Sequence, residues 1–225
     1  MISSNVRQIF LMIGLLALVG LYGCSSGGDD TPVVPDAPDT AAEFSARAWG
    51  YFETEHYDNA LDDFASALVL DGGYGEAMAG QGWCRLALAI SVSDATSGIG
   101  NFDQALAAGE NESYVLAGLA AAQLASGGDN LALAITNAGS VLSADPGFVF
   151  EHQISFDSKD LLLIRAFAYA VVGEYALALD QADLIDDSEM DENDSSSWLV
   201  AGIAYGSFSA ATLAHLHQLS EQYSG

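Results

Sequence analysis

The thirty residues from Phe44 to Gly73, FSARAWGYFETEHYDNALDDFASALVLDGG, set the terms for the whole chain. Tyr57, Ala60, Phe64, Ala67 and Leu68 are spaced as one apolar stripe on a helix, and Phe44, Ala48, Tyr51 and Phe52 form a second stripe before them. Asp58, Asp62 and Asp63 fall between the apolar positions of the second helix, on the side expected to meet water. Two helices this short cannot bury both stripes against each other, so the unit needs neighbours of its own kind. The sequence should therefore repeat.

It does. YVLAGLAAAQLASGGDNLALAITNAGSVLSADP, from Tyr114 to Pro146, turns at Gly127-Gly128 and continues the stripe through Leu131, Ala134, Ala138, Val141 and Leu142. LLLIRAFAYAVVGEYALALDQADLID turns at Gly173, with Tyr175, Ala178, Ala182 and Ile185 facing Ala166 and Tyr169. Between the first and third units, GEAMAGQGWCRLALAI reads as a helix. SVSDATSGIGNF after it reads as irregular, with Phe102, Ala105 and Leu106 regaining the stripe only after an insertion. A last unit is expected to open on the helix Trp198–Tyr205 and to continue through Phe208, Ala211 and His215. The connection 147–157, GFVFEHQISFD, has a partly alternating pattern at Phe148, Phe150 and Ile154, which suits an extended segment laid over the helices.

The second helix of the first unit carries Ala60-x-x-x-Phe64, and Trp198-Leu-Val-Ala-Gly202-Ile-Ala-Tyr205 follows W-x₂-L-G-x₂-Y with alanine for leucine. On these motifs residues 41–224 resemble the tetratricopeptide repeat (TPR) family. The resemblance implies an all-α, right-handed solenoid of about four to five helical hairpins, with the first helix of each pair on the concave side.

Residues 1–23 have one positive charge, Arg7, ahead of an apolar run from Ile9 to Tyr22, and read as a secretory signal rather than a spanning helix. Leu21-Tyr22-Gly23-Cys24 resembles the lipobox of bacterial lipoproteins, which implies lipidation of Cys24; Ser25 after it favours the outer membrane, with the domain facing the periplasm. Residues 24–40 hold Gly, Ser, Asp and Pro32, Pro35 and Pro38, which is the composition of a flexible tether. Asp39 or Thr40 is placed to cap the helix beginning near Ala41.

Five basic residues stand against 31 acidic ones, a formal charge of −26 that becomes one unit more negative without residues 1–23. Such a surface repels nucleic acid. Cys84 sits on a helical apolar pattern and reads as a small hydrophobe. No catalytic group, cofactor site or metal site is expected. His215 and His217 are two apart on one helix and point to different faces. Gly98-Ile-Gly100 lacks the strand and further glycine of a phosphate loop. The acidic run Asp186–Asp194 has Glu192 where a calcium loop needs glycine and Trp198 where it needs a bidentate Glu, so it reads as a solvated loop capping a helix near Ser196.

The candidate site is therefore a surface. Trp49, Trp83 and Phe167 each follow the small residue that packs inward (Ala48, Gly82, Ala166), which rotates them toward the groove. Arg47, Arg85 and Arg165 lie on the same helices and are expected to gather most of the positive charge there. Aromatic and Arg side chains are common anchors of interfaces. The expected function is a membrane-anchored, periplasm-facing, non-catalytic scaffold or adaptor for protein partners, with the family resemblance implying envelope assembly or secretion. The alternative is a lipoprotein binding a small ligand, a glycan or peptide, in the aromatic groove.

Overall fold

The computed structural model describes residues 38–110 and 113–223, and the expected signal, Cys24 and most of the tether lie outside them. Nine α-helices occur among the described residues. Eight of them pair into hairpins: α1 (Ala41–Glu53) with α2 (Tyr57–Leu70), α3 (Gly75–Ala87) with α4 (Val92–Ala107), α5 (Ser113–Ser126) with α6 (Asn130–Ala144), and α7 (Ser158–Val172) with α8 (Tyr175–Ala182). The ninth, α9 (Phe208–Tyr223), follows a two-stranded antiparallel hairpin, β1 (Leu199–Val200) and β2 (Ile203–Ala204). First helices of successive hairpins touch directly (α1 with α3, α3 with α5, α5 with α7), whereas no comparable contact joins the second helices. The stack therefore curves with its first helices inside.

Thr40 caps α1 as a capping box, its hydroxyl accepting from the Glu43 amide while the Glu43 carboxylate accepts from the Thr40 amide. In α2 the stripe residues Ala60, Phe64 and Ala67 are fully buried. Asp63 is buried too, contrary to the expectation that it faces water. It holds the Arg47 guanidinium in a bidentate pair, with Nη2 2.6 Å from Oδ1. A charge between two helices of one hairpin is tolerated because its partner comes from the facing helix.

The second unit is more regular than its sequence. SVSDATSGIGNF is not irregular: Ser91 caps α4 and the helix runs unbroken to Ala107. Its buried face is Ala95, Gly98, Phe102 and Ala105. Gly98 lies against the Gly82 carbonyl of α3, so the stripe exists but is built partly from residues too small to register as apolar anchors.

The last unit departs from expectation outright. Trp198–Tyr205 is not a helix; residues 199–204 form the β hairpin, turned by Ala201 and Gly202, both at positive φ. Nor does the acidic loop before it cap a helix at Ser196. Asp187, Asp191 and Asp194 each accept from the amide two residues on, a chain of local turns. The array thus has four hairpins and a terminal helix.

Turns one and four share one geometry. Gly173 (φ 91°) closes α7, with Glu174 donating to the Tyr169 carbonyl. Glu55 (φ 61°) holds the matching place after α1, with His56 donating to the Tyr51 carbonyl. A non-glycine residue in the left-handed region costs about 1 kcal/mol. Glu55→Gly should therefore raise the unfolding free energy by about 1 kcal/mol, read from urea denaturation; an unchanged midpoint would show that the strain is absorbed elsewhere.

At the start of α7, Asp157 and Asp160 form a second capping box. Burial pushes the Asp160 carboxyl up to about 6 from its ordinary 3.8, opposed first by the hydrogen bond from the Asp157 amide, while the Asp157 charge adds to the rise. A raised carboxyl favours the protonated folded state, so its contribution falls as pH climbs from about 4 to about 6 and is then constant. Asp160→Asn keeps an acceptor for the Asp157 amide without the charge. It should gain about 1 kcal/mol at pH 7, and that gain should vanish below pH 4. Thermal melts at the two pH values test this; a gain equal at both excludes Asp160 as its source.

Candidate functional site: the concave face and its strap

The inner face is covered by the chain itself. Residues 147–157, between α6 and α7, fold back over α1, α3 and α5 as a strap. Its backbone bonds are internal: the Phe150 amide donates to the Phe156 carbonyl (2.9 Å), Ser158 to Phe148 (2.8 Å), Gln153 to Phe150 (3.0 Å) and Phe156 to Gln153 (2.8 Å). Phe148, Phe150 and Phe156 point inward and are buried. Ile154, which shares the alternating pattern with Phe148 and Phe150, is 77% exposed: the turn at 150–153 breaks the alternation, and Phe156 is buried instead.

Phe150, 1% exposed, is the centre of this arrangement. Its ring stacks on Trp83 at 4.2 Å and lies parallel to Tyr114 at 5.9 Å, while Trp49 and Phe52 meet it edge-on at 5.9 and 6.1 Å. Phe156 packs edge-on to Trp83 at 5.2 Å. His152 stacks flat on Trp49 at 4.0 Å, and its Nδ1 lies 2.8 Å from a Glu53 carboxylate oxygen. The Trp49 indole N–H donates to Glu76, whose other oxygen accepts from the Tyr74 hydroxyl. That site pushes the Tyr74 hydroxyl up to about 12, chiefly through burial and then through Glu76.

Trp49 and Trp83 thus do turn to the concave side, yet they are 3% and 2% exposed because the strap sits on them. They do not line an open groove. Phe167 is half-buried and packs against both the main core and a second cluster formed by α7, α8 and α9. The arginines do not gather at the groove. Arg47 is held by Asp63 of α2. Arg85 lines a cleft of about 150 Å³ with Leu61, Leu88, Asp94 and Ser97. Arg165 lies against Gly139 in an open cleft of about 640 Å³ with Thr136, Ser140 and Ser143. All three face second helices because they stand on the flank of their own helix, not on its inner edge.

Phe52, Tyr114, Phe150 and His152 are site members absent from the expected groove. Phe52 reads as an ordinary stripe residue, Tyr114 stands on the third hairpin's first helix without being singled out, and Phe150 lies in the segment expected over the helices, although neither its ring partners nor the place of His152 follow from local pattern. Cys84 is buried in the core, its thiol pushed up to about 12 by burial, which makes it inert. His215 is buried with Nε2 3.2 Å from the Asp186 carbonyl, and His217 is exposed. Among the described residues no three His, Cys, Asp or Glu side chains converge as metal ligands, and no helix is long and apolar enough to cross a membrane.

No protein-family model matches the sequence, and no curated protein matches it either. Solved structures do match in shape. The crystal structure of YrrB, described as a TPR protein with an unusual peptide-binding site, aligns with a TM-score of 0.55 at 16% identity, over 81% of this chain and 90% of that one. TTC0263, a thermophilic TPR protein of Thermus thermophilus, aligns with a TM-score of 0.50 at 18% identity, over 81% and 91%. The fold is an all-α, TPR-like solenoid.

Proposed function

We propose that this chain is a non-catalytic scaffold, held at the outer membrane by an acylated Cys24 and facing the periplasm, whose concave face binds extended segments of protein partners in envelope assembly or secretion. One observation carries the binding part: the inner face already holds a looped segment, residues 147–157, whose Phe150 side chain, on a short extended stretch, inserts its ring among Trp49, Phe52, Trp83 and Tyr114. Recognition of an extended chain through alternate side chains is a recurrent mode of peptide binding. YrrB, of the same fold, is described as having a peptide-binding site, which agrees with this reading. The small-ligand alternative is not favoured by any observation here, since the aromatic rings expected to hold such a ligand are covered.

Site-specific photo-crosslinking in the native envelope tests the binding role. Probes at Glu53 and Ile154, both exposed at the strap, should yield a discrete protein adduct, whereas a probe at Val69 at the exposed end of α2 should not. Adducts at Val69 alone, or at none of the three, overturn the proposal. The anchor has its own test. A Cys24→Ala chain should leave the membrane fraction, and one that stays there refutes lipidation at that residue.

A further inference from the structure

We infer that residues 147–157 are a displaceable stand-in for the partner segment, so that the concave face is shut until an extended segment with aromatic side chains at alternate positions, uncharged or basic, competes for it. The inference rests on the scaffold reading above and adds the partner's chemistry and its control.

Three features make the strap separable from the helices under it. Its backbone hydrogen bonds run within the strap or to its own ends, and none among the described residues reaches α1, α3 or α5. Its ends are fixed and its tip is not: the Asp145 amide closes α6 on the Val141 carbonyl, Asp157 at the strap's last position caps α7 with Asp160, and the Ser158 amide donates to the Phe148 carbonyl, so the part that can withdraw is the tip between Phe148 and Asp157. On the concave side the tip meets α1 through the polar contact of His152 with the exposed Glu53. Phe150 and Phe156 are held ring on ring, which is non-directional and open to any chain presenting similar rings. Withdrawal of the tip therefore breaks no helix and strands one half-exposed carboxylate.

The strap also shows what the face selects. Phe148 and Phe150 enter at alternate positions, as side chains of an extended segment do. His152, in the turn that follows, stacks its face on the Trp49 ring and meets the Glu53 carboxylate with its edge. That spot suits a flat or cationic group facing an acid, and a chain of formal charge −26 favours a basic competitor over an acidic one. A segment reading aromatic-x-aromatic, followed by a turn that brings a basic or flat group onto Trp49, meets each of these demands.

Closure weakens the apparent affinity in proportion to the fraction of molecules that are open. Native-state hydrogen exchange on the wild-type chain tests the opening. The Phe150 and Phe156 amides should exchange at least about tenfold faster than amides in the middle of α3 and α5, because the strap opens without the rest. Exchange of both sets at one rate overturns the inference. The competitor is tested with a blocked synthetic peptide of residues 147–157 carrying Glu151→Gln and Asp157→Asn to remove its acids, titrated into wild type and into Phe150→Ala while Trp49 and Trp83 fluorescence is followed. The variant, with its own ring removed, should bind at least about tenfold tighter than wild type, and a peptide carrying Phe150→Ala should bind neither. Equal affinity, or no binding to a variant whose helical dichroism is intact, refutes it; should the variant fail to fold, the exchange result decides alone. Cross-links at Glu53 and Ile154 without peptide binding would leave the scaffold standing and remove only the strap mechanism.

Discussion

Phe150→Ala is expected to lower the unfolding free energy by about 4 kcal/mol, the range found when a fully buried phenylalanine is truncated. The ring has four aromatic partners on three different helices of the array: Trp49 and Phe52 on α1, Trp83 on α3 and Tyr114 on α5. No small movement of the strap refills so central a cavity. The loss should come with a red shift in tryptophan emission, because Trp49 and Trp83 are dry only under the strap. A second consequence concerns cooperativity. Repeat arrays are held by nearest-neighbour contacts and unfold piecemeal when one interface is weak. Here His152 reaches Glu53 across 99 residues of sequence, closing the first hairpin onto the connection before the fourth. Wild type should therefore unfold in one urea transition, and Phe150→Ala in a broader or split one. Ile154→Ala, on the outer side of the strap, should change stability by no more than about 0.5 kcal/mol. A Phe150→Ala loss below about 1 kcal/mol would mean that the strap is not part of the core.

The hairpins were legible because each stripe is local. The period that joins Ala60 to Phe64 and Ala67 depends only on helix geometry, and the turns at Gly127-Gly128 and Gly173 announce themselves by residue type. The strap was half legible: its extended character and its place over the helices follow from the alternation at Phe148 and Phe150, but not which rings it meets. That depends on the curvature of three stacked hairpins, a property no window of sequence contains. Trp198-x-x-Ala-Gly202-x-x-Tyr205 misled for a physical reason. Ala201 and Gly202 adopt positive φ and turn the segment back on itself, and Val200 then packs with Leu179 of the preceding helix and Ala211 of the following one, so a β hairpin stands where the motif reads as a helix. Asp63 misled similarly. A carboxylate beside a stripe reads as solvated until the facing helix is known to bring an arginine.

Gly80→Ala and Gly118→Ala carry the second large effect, and they separate two uses of glycine. A Cβ on Gly80 would lie 2.1 Å from Cζ of Phe64, and one on Gly118 would lie 2.4 Å from Cζ of Phe102 and 2.8 Å from Cε2 of Trp83. Phe64 and Phe102 are fully buried, so neither ring has anywhere to go, and each hairpin would have to move off the next. Each substitution should therefore cost about 3 kcal/mol despite alanine's better helix propensity. Gly50 lies on the exposed side of α1 with nothing within 4 Å of its added Cβ. Gly50→Ala should instead gain up to about 1 kcal/mol, the ordinary helix-interior preference. Urea midpoints of the three variants decide the matter; a Gly80→Ala chain as stable as Gly50→Ala would show that Phe64 does not key the first hairpin to the second. The chain itself contains a natural counterpart of the experiment. The third hairpin carries Ala138 four residues after Ala134, where the first has Phe64 four after Ala60, and no bulky ring projects toward the next unit. Helix α7 then has no glycine notch and fills the space with Leu161 and Ile164, both in the same core cluster as Ala138. Phenylalanine over glycine and alanine beside leucine are two ways of filling the space between successive hairpins, and introducing a methyl group on only one side of the first breaks the match.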